Sequence, residues 1–115
     1  MRLTMEHRER TLVESVAVAI GRQKQLSPRA CQALSYLIET ADEQGRFYTV
    51  HDFRVKMAVA MNTTEFTVNS CIRELKAKGV IAMRLAGHYE FLDWVPTSHV
   101  LADVKSFDVV IHCVA

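Results

Sequence analysis

The sequence has little on which to build a reaction. Its three cysteines, Cys31, Cys71 and Cys113, are odd in number, far apart and free of CxxC spacing. That pattern argues against a disulfide framework and fits a cytoplasmic chain with reduced thiols. The five histidines are His7, His51, His88, His99 and His112. None pairs with another His or Cys at metal-site spacing apart from the adjacent His112 and Cys113, and adjacent side chains point apart on a strand or a helix. No metal site and no cofactor are therefore expected. P-loop, GxGxxG and GxSxG patterns are missing, so nothing points to an enzyme. No stretch approaches the ~18–20 apolar residues of a membrane span, and the charged start does not read as a signal peptide. Repeats, low-complexity tracts and long linkers are absent too. The net charge of +1 excludes a polycation.

What remains is a chain of 115 residues, half of them apolar, which suits one domain with a real core. Its charge is uneven. Residues 1–29 and 51–84 each carry about +3, and the other stretches are net acidic. Such a molecule can meet a polyanion with one face; an ordinary mixed surface is the plainer alternative.

The most ordered pattern spans residues 49–91. Phe53, Met57 and Met61 are spaced by four, with Ala58 and Ala60 between them, and predict a helix. Thr49 or Asp52 is expected to cap it. Asn62 then suits a sharp turn with positive φ. A second helix over 63–78 follows, with Val68, Cys71, Ile72 and Leu75 inward, a threonine cap at Thr63 or Thr64, and Gly79 as its stop. From there the period becomes two. Ile81, Met83 and Leu85, then Tyr89 and Phe91, predict a hairpin turning at Ala86-Gly87.

This succession resembles the winged helix-turn-helix superfamily of bacterial DNA-binding proteins, over about residues 27–94. Its most specific part is Thr64-Glu65-Phe66-Thr67-Val68, then Ile72, Leu75 and Gly79-Val80-Ile81. Two positions depart from the family pattern: Asn62 stands where the turn usually has glycine, and the wing has few cations. The resemblance implies a mostly α fold with a small β-hairpin (α+β). It would be one domain over 1–115, comprising an N-terminal helix and link (1–26), a winged core (27–94) and a C-terminal extension (95–115).

The flanks extend that reading. Leu12, Val13, Val16, Ala17 and Ile20 line a helix over 4–20, which Gly21 is expected to end. Ser27-Pro28 opens the next helix, carrying Ala30, Cys31, Leu34, Leu37, Ile38 and Ala41, with Gly45 as its expected close. Residues 47–50 are β-prone and would pair with the wing. Pro96 is expected to break the second wing strand, and Thr97 or Ser98 to cap a helix with Val100, Leu101, Val104 and Phe107. Residues 108–114 are apolar, as strand or buried helix. The terminal apolar segments either fold back or meet a second chain, and the resemblance makes a homodimer an option.

In the family the helix over 63–78 is the recognition helix. Its outward face would present Glu65, Phe66, Asn69, Ser70, Arg73 and Lys76. Asn69 can pair with adenine and Arg73 with guanine or a phosphate. Thr63 and Thr64 at the helix start suit a phosphate. Phe66 can pack on a thymine methyl, and Glu65 can accept from cytosine. Arg84 and His88 flank the wing tip, within reach of phosphate or the minor groove. The plainer alternative is a solvated helix face with Phe66 in the core. The expected function is a sequence-specific regulator of transcription bound to double-stranded DNA. The rivals are a phage or plasmid replication-initiator module and a winged helix that binds a partner protein.

Overall fold

A computed structural model describes residues 5–102. The expectations for Val104, Phe107, His112, Cys113 and the apolar run 108–114 lie outside the described residues. Those described form five helices and a three-stranded antiparallel sheet: α1 (Met5–Lys24), α2 (Pro28–Thr40), β1 (Arg46–Tyr48), α3 (His51–Ala60), α4 (Glu65–Ala77), β2 (Ile81–Leu85), β3 (His88–Phe91) and α5 (Ser98–Ala102). The fold is mostly α with a small sheet, as expected.

Helix α1 lies along α2 and α5 and buries Leu12, Val13, Val16, Ala17 and Ile20. It does not stop at Gly21. That residue sits inside the helix, and a Cβ built on it would overlap the Cys31 Sγ of α2. Gly21 is thus the point where two helices approach too closely for a side chain. The helix ends instead at Gln25, with φ 55°, and the Leu26 amide donates back to the Gly21 carbonyl at 2.9 Å.

That ending recurs. Asn62 (φ 53°) follows α3, and the Thr63 amide returns to the Ala58 carbonyl at 2.9 Å. Gly79 (φ 74°) follows α4, and the Val80 amide returns to the Leu75 carbonyl at 3.0 Å. All three are Schellman endings, which return the chain by satisfying an otherwise open carbonyl. Val80 and Leu75 are both fully buried, the hydrophobic contact that accompanies the motif.

Ser27 caps α2 as expected; its Oγ accepts from the Ala30 amide at 3.2 Å, with Pro28 in the first turn. Helix α2 closes at Ala41, not Gly45. Gly45 instead ends the turn into β1, where its carbonyl accepts the Phe91 amide at 2.8 Å. Neither Thr49 nor Asp52 caps α3. Val50 holds the cap position and offers no side-chain hydrogen bond. Thr49 is occupied elsewhere: its amide (2.8 Å) and its hydroxyl (3.3 Å) both donate to the Gly87 carbonyl, tying the end of β1 to the hairpin tip.

The strand order is β1-β3-β2. Arg46 pairs with Glu90, Phe47 with Tyr89 and Tyr48 with His88. Across the hairpin, Ile81 pairs with Phe91 and Met83 with Tyr89, and a bulge then sets Leu85 opposite His88. Phe47 and Phe91 are buried, and Phe47 stacks against Phe53 of α3 and Tyr89. Met57, Ile72, Leu75 and Ile81 complete this one core, against which Phe53 packs. Outward of Ile81, no described residue covers Met83, and the bulge turns Leu85 to the outer face, so both are exposed. Strand β3 ends at Phe91, before Pro96 is reached. Thr97 supplies the turn into α5, its Oγ1 accepting from the Val100 amide at 3.3 Å. Leu101 is buried and Val100 is exposed.

Candidate functional site

Helix α4 has the two faces its sequence requires. Val68, Cys71, Ile72 and Leu75 are buried. Phe66, Arg73 and Lys76 are exposed, and Glu65, Asn69 and Ser70 are half-buried between the two faces. Phe66 is 75% exposed in the first turn, so it is not a core residue. Thr64 is the cap: its Oγ1 accepts from the Thr67 amide at 3.3 Å, and its carbonyl accepts from Val68 at 3.1 Å. The amides of Glu65 and Phe66 precede the first bond of the helix and are the first-turn donors that α4 does not use. Thr63 is half-buried, and its amide serves the end of α3.

Both acids of α4 are engaged with other helices. Glu65 lies 3.4 Å from His51 Nδ1 and 3.8 Å from Arg54 Nε, both on α3. Glu74 turns toward α2, where its carboxylate accepts from the Ser27 amide at 2.7 Å and the Ser27 hydroxyl at 2.8 Å. A capping box normally closes with a Glu or Gln three residues into the same helix. Here that place is Ala30, and Glu74 supplies the carboxylate from 47 residues away. Arg29, the next polar residue of α2, donates through Nη1 to the Met61 carbonyl at 2.8 Å and fixes the end of α3. The three helices that would present the site are therefore joined by polar contacts as well as by the core.

Arg84 and His88 form a second cluster, on the outer face of the sheet. The Nε atoms of Arg84 and Arg46 lie 3.8 and 3.5 Å from the same Glu90 Oε2. The rings of His88 and Tyr48 meet edge to face at 4.8 Å. Arg46 and Tyr48 were not singled out from the sequence. Their only local signal is the alternation Arg46-Phe47-Tyr48, which puts Phe47 inward and its neighbours outward. A broader groove of about 740 Å³ runs between α1 and α2 near the end of α3, lined among others by Glu14, Val18, Cys31, Tyr36 and Met61.

The two described cysteines are held toward the protonated thiol. Burial pushes the Cys31 and Cys71 thiols up from their ordinary value, and the Glu74 carboxylate adds to the shift in both. Among the described residues no three His, Cys, Asp or Glu side chains cluster to hold a metal, and no helix is long and apolar enough to cross a membrane. Comparison with known proteins found no matching family model, no similar curated protein and no similar solved structure.

Proposed function

We propose that this chain is a winged helix-turn-helix protein that binds double-stranded DNA in a sequence-specific way and regulates transcription by occupancy, without a cofactor. In this reading α3 and α4 are the helix-turn-helix, α4 enters the major groove, and the β2–β3 hairpin is the wing. One observation carries it: the withdrawal of Glu74 to Ser27. It leaves Arg73 and Lys76 on the exposed face of α4 with Phe66, Asn69 and Ser70, and with Glu65 as the remaining acid. Glu65 is itself matched by Arg54. A groove-entering helix needs such a face: cations for phosphate, an amide and a guanidinium for base edges, and no uncompensated carboxylate.

A homodimer on two half-sites belongs to the proposal, with one restriction. The inward apolar side of residues 12–20 is covered by α2 and α5, so that side is not free for it. The other apolar segment, 100–114, lies mostly outside the described residues. The reading is tested by titrating random and selected duplexes at two salt concentrations. Groove binding releases counterions and weakens steeply with salt. Salt-independent binding, or none, would reject it.

A protein-binding winged helix is the second reading. The groove between α1 and α2 favours it, with Val18 46% exposed at its rim. A partner seated there would be insensitive to changes at Arg73 and Lys76.

A further inference from the structure

The hairpin and β1 together build a face apart from α4, and it includes Arg84 and His88, which the duplex reading places at the wing. Two rows of side chains cross its outer surface. One row is Tyr48, His88 and Leu85; the other is Arg46, Glu90 and Ala82. Arg84, beside the bulge in β2, joins the charged row through Glu90. A depression of about 330 Å³ spans both rows, lined by Arg46, Tyr48, Arg84, Leu85, His88 and Tyr89. That volume is in the range of small-ligand sites.

The charged row is short of acceptors. Two guanidinium groups share one carboxylate oxygen, at 3.5 and 3.8 Å, and neither distance is that of a good charge-assisted hydrogen bond. Among the described residues, Arg46 Nε is buried with no hydrogen-bond partner. One carboxylate against two guanidiniums leaves a positive charge and several N–H donors uncommitted. A tetrahedral oxyanion with several acceptor oxygens fits between such forks better than a second carboxylate would. The neighbouring row is flat and partly apolar. Tyr48 is 46% and Leu85 68% exposed, and the His88 ring stands against Tyr48. The rows are two residues apart along the strands, roughly 7 Å. That separation is comparable to the reach from a 5′-phosphate across its ribose to the base.

We propose that the outer face of the sheet binds a nucleotide, with the phosphate held by Arg46 and Arg84 and the base lying on Tyr48, His88 and Leu85. Aromatic surfaces accept any base, so the site has phosphate and ring requirements but no strong base preference. The nucleotide is either free or part of an unpaired strand, and the same chemistry serves both.

The test is calorimetric titration of the full chain at low salt with 5′-AMP, adenosine, inorganic phosphate and a short unpaired oligo-dA, with amide chemical shifts to locate each ligand. The expected result is that 5′-AMP binds at least ~10-fold tighter than adenosine or phosphate, and shifts the amides of Arg46, Tyr48, Arg84 and His88. R84Q and R46Q should each weaken 5′-AMP by about 10-fold, one charge-assisted contact's worth. Y48S should weaken 5′-AMP and leave phosphate unchanged. Arg84 lies on an exposed edge strand, so R84Q keeps the test sound even if R46Q unfolds. An oligonucleotide tighter than 5′-AMP identifies the unpaired strand as the source; equal or weaker binding identifies the free nucleotide. The site is rejected if phosphate binds as well as 5′-AMP, if R84Q has no effect, or if the shifts fall on α4. R73Q separates this from duplex reading: it should lower duplex binding and leave 5′-AMP untouched, so either proposal can fail alone.

Discussion

Glu74 of α4 accepts both the amide and the hydroxyl of Ser27, the residue that caps α2. One carboxylate thereby completes the start of one helix from the middle of another. It also sets the rotation of α4, because Glu74 must face α2 while Leu75 enters the core. The charge pattern of the exposed face follows from that constraint.

Removing this carboxylate should therefore destabilise the protein more than an ordinary surface change. Glu74→Ala is expected to cost about 1.5–3 kcal/mol, the range for hydrogen bonds to a charged group. Glu74→Gln keeps one acceptor oxygen and should cost less. Urea unfolding measures both, and a double-mutant cycle with Ser27→Ala should give a coupling of about 0.5–3 kcal/mol. Additivity would mean that the two residues do not support each other.

The three Schellman endings make a prediction of opposite signs. Gln25 adopts a left-handed conformation that costs a residue with a Cβ roughly 1–2 kcal/mol. Gln25→Gly relieves this against an entropy loss of about 0.4–1 kcal/mol, so a net gain of about 0.5–1 kcal/mol is expected. Gly79→Ala imposes the same strain and should lose about 1 kcal/mol, although no described residue lies against that position. Thermal and urea midpoints that move together in one direction would contradict this account.

Gly21 differs from Gly79 because its constraint is space. Gly21→Ala places a methyl on Cys31 Sγ and should cost about 1–3 kcal/mol by overpacking. Cys31→Ala in the same chain should recover part of the loss. No recovery would mean that the helices are separated there.

These residues show what could be read before the structure. The start of α2 is local chemistry, Ser27 before Pro28, and so is the turn at Asn62; both were legible. The stripes of α4 were legible because Val68, Cys71, Ile72 and Leu75 repeat at helical spacing. Gly21 and Gly45 were misread as helix stops. Glycine marks a stop, a turn or a close approach, and only the residue packed against it decides which: Cys31 at Gly21, Phe91 at Gly45. The loss of Thr49 as a cap was equally hidden, since its partner Gly87 lies across the sheet. The candidate site divides the same way. Its helical half, Phe66 to Lys76, follows from periodicity. The Arg46–Glu90–Arg84 group depends on strand pairing across the hairpin, so Arg84 and His88 were seen without Arg46 and Tyr48.

If α4 enters the major groove as proposed, base reading and phosphate binding can be told apart. Asn69 and Arg73 are one turn apart on the same side of the helix, and Lys76 sits in its last turn. If Asn69 and Arg73 read bases, Asn69→Ala and Arg73→Ala should each cost about 1–3 kcal/mol on a selected site and relax preference at one position. Lys76→Ala should weaken all duplexes alike and lower the salt slope by about one, as loss of a phosphate contact does. Glu65 supplies the control of sign. In that reading its carboxylate would oppose the DNA backbone, and it lies within ion-pair distance of Arg54 and His51. Glu65→Gln should therefore raise affinity for random duplex and steepen the salt slope, because Arg54 is released to a phosphate. Fluorescence anisotropy at two salt concentrations measures all four. If none of the four changes binding to either duplex, α4 is not the reading helix, and the groove between α1 and α2 becomes the surface on which to seek a protein partner.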